Sequence, residues 1–119
     1  MKSVSLHAVA TELIQKIKAK RGSLVTVESC TGGLLAHQIT NVSGASEIFW
    51  GGYVVYDNDA KEKLGVDPGL LKQHGAVSAP VARALAENGL RSLKNPGLRA
   101  CIATTGIAGP GGGSTAKPV

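Results

Sequence analysis

Three short runs rich in small and β-branched residues, LVTV at 24–27, IFWGGYVVY at 48–56 and LRACIAT at 98–104, are separated by segments with helical spacing. That alternation constrains the chain more than any other feature. β-branched side chains suit a pleated, buried surface, and strands alternating with helical patterns argue an α/β fold with helices covering a sheet. Residues 5–20 predict the first helix, because Leu6, Val9, Ala10, Leu13, Ile14 and Ile17 recur on one face, and Gly22 is the expected C-cap. Residues 32–41 predict a second helix, with Leu34, Leu35 and Ile39 apolar. A third should run through Lys61 and Leu64, capped by Asn58 or Asp59. Asp67-Pro68 predicts a short helix that stops near Gly75. Ser78 opens another, with Val81, Ala82, Leu85, Ala86 and Leu90 on its apolar side. The middle strand is expected to bulge at Gly51 and Gly52.

A chain of 119 residues suits one domain spanning 1–119, and a hydrophobic content of 43% suffices for a core. Aromatics are only 3%, so that core must rest on aliphatic packing. The net charge of +5 is scattered, and Lys16, Lys18, Lys20 and Arg21 sit where cations suit the end of the first helix. No aromatic ladder interleaves with the charges, so nucleic acid is not an expected partner. Cys30 and Cys101 form no CxxC pair, and no metal site is expected. A disulfide and two free thiols both remain open at this point. Residues 1–20 hold no uninterrupted apolar segment of signal type, and no run approaches membrane-spanning length. The expected setting is the cytoplasm, without membrane contact.

Chemistry could reside in three loops, each following a strand. The first is Ser29-Cys30-Thr31-Gly32-Gly33, between a strand and a helix. Ligands of α/β sheets bind outside the carboxyl ends of strands, and a helix start offers N–H groups to an anion or a developing oxyanion. The same residues could equally form a helix cap. Of the three potential nucleophiles the Cys30 thiol is intrinsically the best. A cysteine nucleophile usually needs a histidine, however, and His7, His37 and His74 all sit at unpromising places. The second loop holds Tyr56, Asp57, Asn58, Asp59 and Lys61. A desolvated lysine can serve a serine as base, with Tyr56 orienting it or relaying a proton. A solvated helix start explains the same residues. The third loop, from Thr104 and Thr105 through Gly106 and Gly109 to Ser114, lets backbone N–H groups approach a ligand. It lacks the lysine and hydroxyl of a Walker loop, and its spacing fails the dinucleotide fingerprint.

Four motifs in order carry a resemblance: Glu28-Ser29-Cys30-Thr31-Gly32-Gly33, Tyr56-x-Asn58-x-x-Lys61, His74-Gly75-Ala76-Val77-Ser78, and Thr105-Gly106-Ile107-Ala108-Gly109-Pro110 with Lys117-Pro118-Val119. The chain resembles the CinA C-terminal domain family, whose enzymatic members are nicotinamide-nucleotide amidases. The resemblance implies a three-layer α/β/α sandwich that converts nicotinamide mononucleotide to nicotinic acid mononucleotide and ammonia, without a cofactor. It implies Ser29 as nucleophile in place of Cys30, with Lys61 and Tyr56 as its catalytic partners. Thr31, Gly32, Gly33, Thr105, Gly106 and Gly109 are the expected substrate-binding residues. Family domains continue past the Lys-Pro-Val motif with a further strand, a closing helix and a basic residue, so the sheet here is expected to be incomplete at the C-terminus. The expected partners are a pyridine nucleotide monophosphate and further copies of the chain. The rival readings are a non-catalytic nucleotide- or phosphate-binding module and a structural module of a competence-related protein.

Overall fold

The computed structural model describes residues 5–119. Its elements in order are α1 (Leu6–Ala19), β1 (Ser23–Glu28), α2 (Leu34–Thr40), β2 (Phe49–Val54), α3 (Asn58–Leu64), α4 (Pro68–His74), α5 (Ala79–Leu90) and β3 (Arg99–Thr104), with one 3-10 turn at Ala45–Glu47. The three strands form a parallel sheet in the order β2-β1-β3. A central parallel strand is covered on both faces and therefore reads as a continuous apolar run. The β1 residues from Leu24 to Glu28 are accordingly all buried.

Alternate strand residues supply the two halves of the core. On one face Leu24, Ala100 and Ile102 pack with Ile14 and Ile17 of α1 and with Ile39 of α2. On the other, Val27, Cys101 and Ala103 pack with Val66, Leu71 and with Val81 and Leu85 of α5. Helices on both faces make the domain an α/β/α sandwich, as expected. The sheet holds three strands among the described residues, and no further strand lies beyond β3 there.

Three local expectations need correction. The left-handed residue that ends α1 is Arg21, with φ 52°, and not Gly22. Arg21 N–H donates to Lys18 O and Gly22 N–H to Ile17 O, the paired bonds of a Schellman cap. Gly22 serves a different need, since a Cβ there would come within 2.8 Å of Ile17 and 3.0 Å of Leu98. A side chain in the left-handed region is strained, so Arg21→Gly should stabilise the fold by about 0.5–1 kcal/mol, read as a raised urea midpoint. The cap of α3 is Asp57, whose carboxylate accepts Asp59 N–H at 2.8 Å, and not Asn58 or Asp59. The irregularity in β2 falls at Trp50: Phe49 pairs with Leu24 and Gly51 with Val25, so Trp50 is the inserted residue. Gly52 is needed for close approach, because a Cβ there would strike the Thr26 hydroxyl. Asp67 and Ser78 cap α4 and α5 as expected.

Candidate active site

Because all three strands are parallel, the loops after β1, β2 and β3 emerge at one edge of the sheet. β1 lies between β2 and β3, so the chain leaves β1 in one direction and returns on its other side. Open α/β sheets bind ligands at such a reversal.

The first loop is clamped from both sides. Ser29 N–H donates to Thr104 O at 3.1 Å, and Val55 N–H donates to Glu28 O at 2.8 Å. Ser29 is buried at 6% exposure. The chain then turns through Gly32 and Gly33, at φ 61° and 108°, where a side chain would be strained. The Thr31 hydroxyl is bonded to that of Thr104 at 2.8 Å, joining the first loop to the end of β3. Cys30 is half-buried against Gly106 of the third loop, where a Cβ would meet its sulfur at 3.2 Å.

The expected N–H groups at the start of α2 are not free. Glu28, 1% exposed, reaches across the turn and fills them. Its carboxylate accepts Leu35 N–H at 2.8 Å, Ala36 N–H at 3.0 Å and Gly33 N–H at 3.2 Å. Burial pushes the Glu28 carboxyl up, but the nearby Thr31 hydroxyl and these three N–H groups outweigh it and hold the group below its ordinary range. The sequence reading gave Glu28 no role, although a carboxylate two turns before a helix start is a signal that could have suggested one. A carboxyl with a depressed folded-state value contributes stability above its unfolded range, and loses it as pH falls through the folded value. Glu28→Ala should cost about 2–4 kcal/mol at neutral pH, since it orphans three buried donors. Urea unfolding should show that difference shrinking in acid.

Lys61, on α3, is buried more completely than any other cationic side chain described, at 1% exposure. Desolvation pushes its amine down, while Asp57 and Cys30 nearby pull it back up, and the net direction is down. Its Nζ donates to Tyr56 O at 2.8 Å and not to Ser29. Tyr56 thus meets Lys61 through its backbone carbonyl, while its ring is 70% exposed. Thr105 donates its hydroxyl proton to Ala76 O at 2.8 Å, and is left with lone pairs to offer a ligand. Thr105 lines a cavity of about 330 Å³ with Ser78 and Lys117. The Lys117 ammonium is held on His74 O at 2.7 Å. Gly109, with φ 78°, lies farther along the third loop, in contact range of Val119. The structure therefore brings Cys30, the neighbour of Ser29, close to both Lys61 and Gly106, and puts Thr31 and Thr104 on the α2 side. Among the described residues no three histidine, cysteine or acidic side chains converge as a metal site would require, and no helix is long and apolar enough to cross a membrane.

A sequence model described as the CinA C-terminal domain matches residues 6–119. The chain belongs to the CinA C-terminal domain family. A CinA-like protein of Chlorobium phaeovibrioides is 49% identical over 118 residues, covering 98% of this chain and 27% of that protein. A CinA-like protein of Mycobacterium marinum is 50% identical over 109 residues, covering 91% of the chain and 25% of its own length. The chain therefore spans about a quarter of the curated CinA relatives it matches. Among solved structures, the competence/damage inducible protein CihA of Agrobacterium tumefaciens superposes with a TM-score of 0.86 at 40% identity, covering all of this chain and 72% of that one. A CinA superfamily protein of Escherichia coli does so with a TM-score of 0.87 at 30% identity, covering 99% and 69%. The family match and the superposition with solved CinA proteins thus agree on the fold.

Proposed function

We propose that this CinA C-terminal domain hydrolyses the carboxamide of nicotinamide mononucleotide, releasing nicotinic acid mononucleotide and ammonia. The observation that carries the reading is Lys61: an amine 1% exposed, with its basicity lowered by burial, beside the turn that bears Ser29. Burying a cation is costly unless it is paired and hydrogen-bonded, Lys61 has one hydrogen bond, to Tyr56 O, and an amine of lowered basicity is what a serine nucleophile needs as base.

The deprotonated form of Lys61, made more accessible by its lowered basicity, takes the Ser29 proton as Oγ attacks the carboxamide carbon. The oxyanion lies against free backbone N–H groups of the turn. Lys61 then returns the proton to the nitrogen, the C–N bond breaks, and ammonia leaves. Water attacks the acyl-serine, giving one proton to Lys61, which restores the Ser29 hydroxyl. The balance is amide plus water to acid plus ammonia. The Tyr56 carbonyl positions Lys61. Thr105, its own proton spent on Ala76, accepts from the amide NH₂, while Thr31, Gly32 and Gly33 shape the turn on the other side. The nucleotide lies toward Gly106, Gly109 and the cavity beside Thr105, because Glu28 already fills the start of α2. The setting we infer is cytoplasmic, with a homo-oligomer as the assembled form. Ammonia released from nicotinamide mononucleotide by the wild-type chain, and not by Ser29→Ala, tests the reading.

A further inference from the structure

The backbone N–H groups around Ser29 can be accounted for one at a time, as buried donors must be. Ser29 donates to Thr104 O, Gly32 to Ser29 O and Leu34 to Thr31 O, each at 3.1 Å. Gly33, Leu35 and Ala36 donate to the Glu28 carboxylate. Only Cys30 and Thr31 are left without a hydrogen-bond partner among the described residues of this stretch. Two consecutive free donors directly after a nucleophile are the disposition an oxyanion hole requires.

We propose that Glu28 is a positioning residue of the reaction, acting by occupying the Gly33, Leu35 and Ala36 donors at the start of α2, where Thr31 O already takes Leu34 N–H, so that Cys30 and Thr31 N–H are left for the oxyanion. This role rests on the reading of Ser29 as nucleophile. The physical case has three parts. First, Glu28 spans the turn as a strut: its carbonyl accepts Val55 N–H from the end of β2 and its carboxylate accepts the first turn of α2. The glycine pair at 32–33 lies between those anchors and has no side chain to hold it. Second, a helix start without Glu28 would attract an anion of its own, drawing the charged end of a substrate, or water, beside the nucleophile. A carboxylate already seated there repels the anion, and the donors it has taken are not open to water. Third, a displacement of about 1 Å in a reacting group costs about 10²-fold in rate, and the strut sets where the donors point.

The test compares the wild-type chain with Glu28→Gln, Glu28→Asp and Ser29→Ala. Amide exchange measured by NMR reports the α2 start, and ammonia release per folded molecule reports kcat and KM. A glutamine turns an N–H toward Ala36 N–H, so exchange protection at Ala36 should fall at least about tenfold. The kcat should fall about 10²-fold with KM held within a factor of about three. A cap with a structural role alone would lower the folded fraction and leave kcat per folded molecule intact. Should Glu28→Gln not fold, Glu28→Asp keeps the charge, moves it by one methylene, and carries the same kcat test. Unchanged protection at Leu35 and Ala36 overturns the proposal. So does an unchanged kcat in Glu28→Gln beside a dead Ser29→Ala, an outcome that leaves the Ser29 reading standing. Ammonia release that is absent from the wild type, or equal in wild type and Ser29→Ala, overturns that reading and this role with it.

Discussion

Ser29→Ala should lower ammonia release from nicotinamide mononucleotide by about 10⁴-fold or more, because no other atom replaces the attacking oxygen. Cys30→Ala should retain activity to within about tenfold, since only its backbone N–H takes part in the chemistry. The contrast is informative because intrinsic reactivity favours the thiol, and because Cys30 lies near enough to Lys61 to influence its amine. Steady-state assays on both variants decide between the two nucleophiles. A dead Cys30→Ala beside an active Ser29→Ala would transfer the role to the thiol. The Ser29 side chain is small and buried, so its loss should shift the unfolding midpoint little, and folded inactive protein is the expected product.

Lys61→Met should be equally inactive and, unlike most buried substitutions, more stable. The amine is nearly sealed from water, and its one hydrogen bond is to the Tyr56 carbonyl. A methionine of similar length keeps the packing and removes the buried cation, a change that is often neutral or stabilising. We expect a gain of about 1–2 kcal/mol at neutral pH with a loss of kcat of about 10³-fold or more. The pH dependence provides an independent check. The Lys61 amine binds its proton less tightly in the fold than in the unfolded chain. The unfolded state therefore holds more protons between the two values, and wild-type stability should rise with pH through that window. Lys61→Met should lack the rise. Chemical denaturation of both chains from neutral to alkaline pH measures it. An unaltered slope, or a wild-type rate in the variant, would remove Lys61 from the base role.

The elements and their layering were legible because burial leaves a period in the sequence. LVTV, read as a buried strand, lies inside β1, the one strand flanked on both sides, and the apolar stripe of residues 5–20 is the face that α1 lays on Leu24 and Ile102. The caps were less legible. Asp57 in place of Asn58 or Asp59, and Arg21 in place of Gly22, are single-residue shifts that composition does not resolve. The bulge was placed at the glycines, and it sits at Trp50 because register is a property of two strands and not of one.

Around the turn the limits are sharper. The local spelling Ser29-Cys30-Thr31-Gly32-Gly33 is enough to require a tight bend with nucleophiles at its start, since left-handed backbone at two successive positions demands glycine. Composition and periodicity likewise determine an aliphatic α/β core. What only the tertiary structure decided is which polar groups meet: Glu28 with the α2 donors, Lys61 with a carbonyl in place of a phenol, and Thr105 with Ala76. The physical reason is that hydrophobic burial depends on which face a residue occupies, a local property. A hydrogen bond depends on distance and direction to one partner, which for Thr105 is 29 residues away along the chain.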